Sequence, residues 1–194
     1  EGLKLAQKDY AKWGITTLHD MSTQAIDLQV FQYLRDTGEL TVRVRPWIWA
    51  MDQEPRVGLL DDLIALGIRS GFGDDMVKIQ GSKFMLDGSA GGRTAAVAEP
   101  YEDDDRKGIL YYTKDEGAPY MKKSIEAGLR VAIHAIGERA IDVAIESFKE
   151  AHESVDITKM RNRIEHCGLP TDEHLQAMKD LELIAASSIG FIYH

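Results

Sequence analysis

Short apolar runs alternate with longer stretches of helical spacing along this chain. Leu3 to Trp13 carries apolar residues at helical intervals and stops at Gly14. The run Ile15-Thr16-Thr17-Leu18 then reads as a strand ending at His19-Asp20. Ser22 is the expected N-cap of a helix reaching about Thr37, with Gly38 as its stop. Leu40 to Trp49 alternates and is rich in Val, Ile and Trp, which predicts a strand. Asp61 to Leu66 belongs to a helix closed by Gly67, and Met76 to Leu86 reads as extended chain broken at Gly81.

Asp87 to Thr94 is a loop by composition, and residues 99–110, with their acidic run Glu102 to Asp105, should form an exposed one. Asp115 to Ala127 predicts a helix closed by Gly128. Leu129 to Ile133 predicts a strand ending at His134, and Glu138 to His152 an amphipathic helix. Ile164 leads as a strand into Glu165-His166. Thr171 caps a helix to Leu181, and Leu183 to Ser187 is the last strand. About six β-then-α units with no hairpin signal imply an α/β fold with a parallel sheet. A doubly wound sheet and a (β/α)8 barrel both fit this pattern.

Composition narrows the classes. The 194 residues are 44% hydrophobic and 28% charged, an ordinary soluble globular balance. The net charge of −9, with dispersed Lys and Arg, argues against a nucleic-acid surface. No apolar run approaches the roughly 18 residues of a membrane span, so no membrane partner is expected. Cys167 is the sole cysteine, which excludes an intrachain disulfide and a Cys-based zinc site. It is compatible with a cytoplasmic location, although the chain does not begin with Met and an export signal could have been removed.

The chemistry-bearing pattern is a polar residue closing an apolar strand with glycine close behind. Val131-Ala132-Ile133-His134-Ala135-Ile136-Gly137 has this form, and Arg163-Ile164-Glu165-His166-Cys167-Gly168 repeats it. The carboxyl ends of parallel strands hold the site in such folds, so two histidines at equivalent strand ends would converge. Neutral imidazole is a common ligand for zinc and similar ions. The competing reading of each is a hydrogen-bonded structural histidine, and two ligands are too few for a zinc site.

Lys83 lies in an apolar strand context, where burying its charge would be costly and a neutral amine could take up carbon dioxide as an anionic carbamate. A solvent-facing lysine is the competing reading, and Lys78 is a second candidate. The loop Asp87 to Thr94 fits neither phosphate-binding glycine pattern. Its glycines permit a tight loop over a site mouth, and Arg93 could pair with Asp87 or meet an anionic substrate group. His19-Asp20 reads as a supporting pair behind a site. His152 and His174 read as surface helix residues, and His194 is uninformative.

Taken together, Gly14-Ile15-Thr16-Thr17-Leu18-His19-Asp20, Lys83-Phe84-Met85-Leu86-Asp87-Gly88-Ser89, Arg93-Thr94-Ala95, His134 to Asp142 and Arg163-Ile164-Glu165-His166-Cys167 occur in order. This set resembles family 3 of the amidohydrolase superfamily, the YtcJ-like and N-substituted formamide deformylase-like proteins. The resemblance implies a (β/α)8 TIM barrel, here incomplete and covering about strands 2 to 7. Residues 1–194 would be one partial barrel domain, with the β-sandwich and strands 1 and 8 absent. It implies Lys83, often carboxylated in the family, as the strand 4 metal ligand, and His134 and His166 as ligands after strands 5 and 6.

The family's His-x-His and its strand 8 aspartate, the expected catalytic residue, have no counterpart here. Gly137-Glu138-Arg139-Ala140 and Ser188-Ile189-Gly190 also depart from its usual pattern. The implied activity is hydrolysis of an amide or other non-peptide C–N bond, such as an N-formyl or N-acyl group, by water activated on a divalent metal, expected to be zinc. The 194 residues alone are expected to be inactive and to bind metal weakly or not at all. Open sheet edges would remain exposed or drive self-association. The alternative is a regulatory or small-molecule-binding protein on a barrel that has lost its chemistry.

Overall fold

The computed structural model describes residues 1–102, 105–188 and 190. Asp103 and Asp104 of the acidic run, Ile189 of the departure after the last strand, and His194 lie outside the described residues. Among the described residues six helices alternate with six strands, and the strands are ordered as they are in the chain. The pairings β1–β2, β2–β3, β4–β5 and β5–β6 are all parallel. The chain packs as two compact units, residues 1–83 and 84–194.

The first unit holds α1 (Gly2–Lys12), β1 (Thr17–Thr23), α2 (Ala25–Asp36), β2 (Arg43–Trp49), α3 (Leu60–Ala65) and the start of β3 (Gly81–Met85). Its core gathers Phe31, Leu34, Leu40, Val42, Val44 and Val77, with Leu3, Leu18, Leu28 and Met76 packed against them. Gln7 ties α1 down: its amide donates to Glu39 O at 2.7 Å and accepts from Thr41 N at 3.0 Å. Ser22 is not a helix cap. β1 continues through Thr23, and the N-cap is Gln24, whose N–H donates to Asp27 Oδ2 at 2.9 Å. A register irregularity between Asp20 and Thr23 carries the strand those extra residues.

The second unit holds the end of β3, α4 (Lys114–Glu126), β4 (Arg130–Ala135), α5 (Glu138–His152), β5 (Arg163–His166), α6 (Asp172–Asp180) and β6 (Ile184–Ala186). Val131, Ala132 and Ile133 are wholly buried, as are Ile141, Ala144 and Phe148 of α5. That burial on both faces explains why β4 reads as a continuous apolar run. Asn162 joins the strands: its Oδ1 accepts from Val131 N at 2.8 Å and its carbonyl from Ile184 N at 2.9 Å.

α6 opens at Thr171 as expected, through a reciprocal cap in which His174 N donates to Thr171 Oγ1 (3.3 Å) and Thr171 N to His174 Nδ1 (3.0 Å). His174 is therefore not a surface residue. It is 7% exposed, and its Nε2 hydrogen bonds to Asp142 Oδ1 of α5 at 2.7 Å. Among the described residues no helix is long and apolar enough to cross a membrane.

Candidate metal centre

His134 and His166 stand at the carboxyl ends of the adjacent strands β4 and β5. Strand register alone would not bring them together. His134 pairs with Glu165 and Ala135 with His166, and paired residues of parallel strands face the same side, so alternation would send the two imidazoles to opposite faces. The backbone breaks the alternation. His166 adopts φ +68° and Cys167 φ +46°, left-handed conformations that side chains larger than glycine rarely take. The rings then meet edge to face, with centroids 4.6 Å apart and planes at 71°.

His134 has a defined tautomer. Its Nε2 lies 2.8 Å from Gly88 O, and a carbonyl oxygen only accepts, so Nε2 carries the proton. The same nitrogen is 3.3 Å from Asp87 Oδ1. In the neutral ring Nδ1 then carries the lone pair. An N–H held by a carbonyl or carboxylate is how proteins orient a metal-binding imidazole.

Asp87 is the brace beneath this ring. It is fully buried, and its carboxylate accepts from Ala96 N (3.0 Å), Ile136 N (3.0 Å) and Gly137 N (2.8 Å). The amides of Ile136 and Gly137 lie at the N-terminus of α5, where the helix dipole favours a negative group. The structure thus gives Asp87 a loop-holding place rather than a surface from which to meet substrate.

The loop it anchors is closed on itself. Gly88 N donates to Thr94 O (3.1 Å), Ser89 N to Thr94 Oγ1 (2.9 Å), Gly92 N to Ser89 Oγ (3.0 Å) and Arg93 N to Ala90 O (3.0 Å). Those amides are spent internally and do not form a phosphate cradle. Arg93 is exposed on this loop at φ +53°.

Two glycines let the strands' loops close in. A Cβ on Gly137 would come within 2.2 Å of Ala96 O, and one on Gly168 within 2.8 Å of Ile136 Cγ2. Leu169 N donates to Ile136 O at 2.9 Å, so the segments leaving β4 and β5 are fastened directly to each other. On β5 the buried Glu165 is bound by Arg163, Nη2 to Oε2 at 3.0 Å and Nε to Oε1. Sequence reading passed over this pair. Its signal was the i, i+2 spacing of opposite charges on a buried strand.

The other candidates belong to the first unit. Lys83 is 4% exposed on β3, whereas Lys78 is part-exposed and pairs with Asp75 at 3.4 Å. Burial therefore distinguishes the two lysines in favour of Lys83. His19 accepts a hydrogen bond at Nδ1 from Trp47 Nε1 (3.0 Å). Asp20 binds the Thr23 hydroxyl, and burial, opposed by that bond, pushes its carboxyl above the ordinary range. Among the described residues, no three His, Cys, Asp or Glu side chains are grouped to hold a metal ion.

A family model described as "Amidohydrolase family" matches residues 1–194. The chain belongs to the amidohydrolase family. Among relatives of this amidohydrolase chain, Protein LONG AFTER FAR-RED 3 of Arabidopsis thaliana is 31% identical over 184 residues, covering 86% of this chain and 29% of its own. YtcJ of Bacillus subtilis (strain 168) is 33% identical over 75 residues, 38% of this chain and 14% of its own. A solved structure described as an uncharacterized metal-dependent hydrolase from Pyrococcus furiosus is 32% identical with a TM-score of 0.84, covering 98% of this chain and 38% of that one. The amidohydrolase chain thus spans well under half the length of each. Its fold is that of the corresponding part of the hydrolase, α/β with successive parallel strands, consistent with an incomplete TIM barrel.

Proposed function

We propose that this chain supplies ligands to a metal-dependent hydrolase that cleaves amide or other non-peptide C–N bonds, N-formyl and N-acyl groups among them. The observation that carries the reading is the meeting of His134 and His166 at 4.6 Å, with the His134 proton fixed on Nε2. Family membership and the metal-dependent hydrolase relative support it. Two imidazoles suit a divalent ion such as zinc.

His134 would bind such an ion through Nδ1, and His166 through its ring at the strained end of β5, as two of the ligands the ion needs. The bound metal supplies a Lewis acid and a water of lowered pKa. The chain's own part is positional: Gly88 O holds the His134 tautomer, Asp87 holds the loop bearing Gly88, and the left-handed turn at His166 aims the second ring.

The test is turnover in the full-length, zinc-loaded protein, measured as amine released from a panel of N-formyl and N-acyl amines. Chelation should abolish release and zinc should restore it. His134→Ala and His166→Ala should each lower kcat/KM at least about 100-fold. Turnover indifferent to chelator and to both substitutions would end this reading. Tight zinc binding with no amide cleaved would instead favour a non-catalytic binding protein.

A further inference from the structure

An open cavity of about 590 Å³ is walled by Ser89, Gly91, Gly92, Ile136, Gly168 and Leu169. Three of these walls adjoin residues of the candidate centre. Ser89 follows Gly88, the acceptor of His134, while Ile136 and Gly168 stand two residues beyond His134 and His166. The size is that of a small-molecule site.

Its chemistry is one-sided. Among the described residues no charged side chain lines it, and Ser89 Oγ, a polar group of the wall, accepts from Gly92 N. A charged group entering here would meet no opposite charge among the described lining residues to offset its partial desolvation. Leu169 is 44% exposed, yet its backbone is pinned to Ile136 O, so its side chain is offered to the cavity from a fixed base. At Gly91 a Cβ would meet no atom within 4 Å, so that wall is bare because space is left there and not because packing forbids a side chain.

We infer that this cavity is a specificity subsite that takes an uncharged aliphatic group attached next to the bond being cleaved, with Leu169 and Ile136 as its contacts and Gly91 setting its width. The assignment rests on the proposed function for its link to a scissile bond, but binding tests it separately from turnover. The probes are N-butylacetamide and N-acetyl-1,3-diaminopropane, equal in length and differing by a terminal methyl against an ammonium. Both are titrated into the zinc-loaded full-length protein, with methyl NMR signals of Ile136 and Leu169 as the readout.

N-butylacetamide should shift both methyl groups saturably. The diamine derivative should bind at least tenfold more weakly, even though the chain's net charge of −9 would attract a cation. Gly91→Leu should keep the wild-type unfolding midpoint and weaken N-butylacetamide at least tenfold. Equal binding of the two probes, no shift at either methyl, or undiminished binding in a folded Gly91→Leu protein would each overturn the subsite. If N-butylacetamide binds as described and no amide is hydrolysed, the subsite stands and the hydrolase reading falls.

Discussion

His166 and Cys167 hold a conformation that costs a non-glycine residue about 1–3 kcal/mol, and the sequence offers no glycine there to avoid it. Such strain persists where surrounding contacts over-determine it. Here Gly168 against Ile136 and the Leu169–Ile136 hydrogen bond do so. Asp87 is the other residue on which the centre hangs. Asp87→Ala would leave the buried amides of Ala96, Ile136 and Gly137 without their acceptor. Unfolding by denaturant should show a loss of about 3 kcal/mol or more. Gly137→Ala and Gly91→Ala form a matched pair. The first drives a methyl into Ala96 O and should cost about 2 kcal/mol, while the second meets open space and should stay within about 0.5 kcal/mol. Similar losses for both would show that loop closure over Asp87 is looser than described.

The strand β1 and its neighbour α2 carry a pH signature. Asp20 is buried enough that its carboxyl lies above its unfolded value, so the folded state binds its proton more readily. Stability from this group is therefore greatest at low pH and is lost as pH rises from the unfolded value through the folded one. Denaturation curves taken upward from about pH 4, the ordinary carboxyl value, should show that slope, and Asp20→Asn should flatten it. A steeper slope in the variant would contradict the assignment. At α6 the reciprocal cap predicts that Thr171→Val costs about 1 kcal/mol.

Element boundaries were legible where burial was simple. Glu138–His152 follows its apolar stripe from end to end. The β1 boundary was not, because Ser22 offers a cap's chemistry while the strand's pairing carries past it. His174 misled in the opposite way. Its helix is polar enough to suggest solvent, but the cap with Thr171 and the bond to Asp142 turn it inward.

Across the whole molecule, the order of strands and helices was readable from alternating apolar runs, since parallel strands buried on both faces leave an unbroken hydrophobic signature. Which members of the candidate set meet was not readable. Motif order pointed to His134 and His166, but their register says they should diverge, and only backbone geometry invisible in residue identity brings them together. Motif spacing before Asp87-Gly88-Ser89 favoured Lys83 over Lys78 in the sequence, and Lys83 is the buried one of the two.

The most direct measurement is a zinc titration of the full-length protein followed by calorimetry, repeated with His134→Ala, His166→Ala and the double variant. Either single substitution should weaken zinc about 100-fold, and the double variant should retain no site of wild-type affinity. Wild-type affinity in the double variant would mean that the two rings, although in contact, hold no metal.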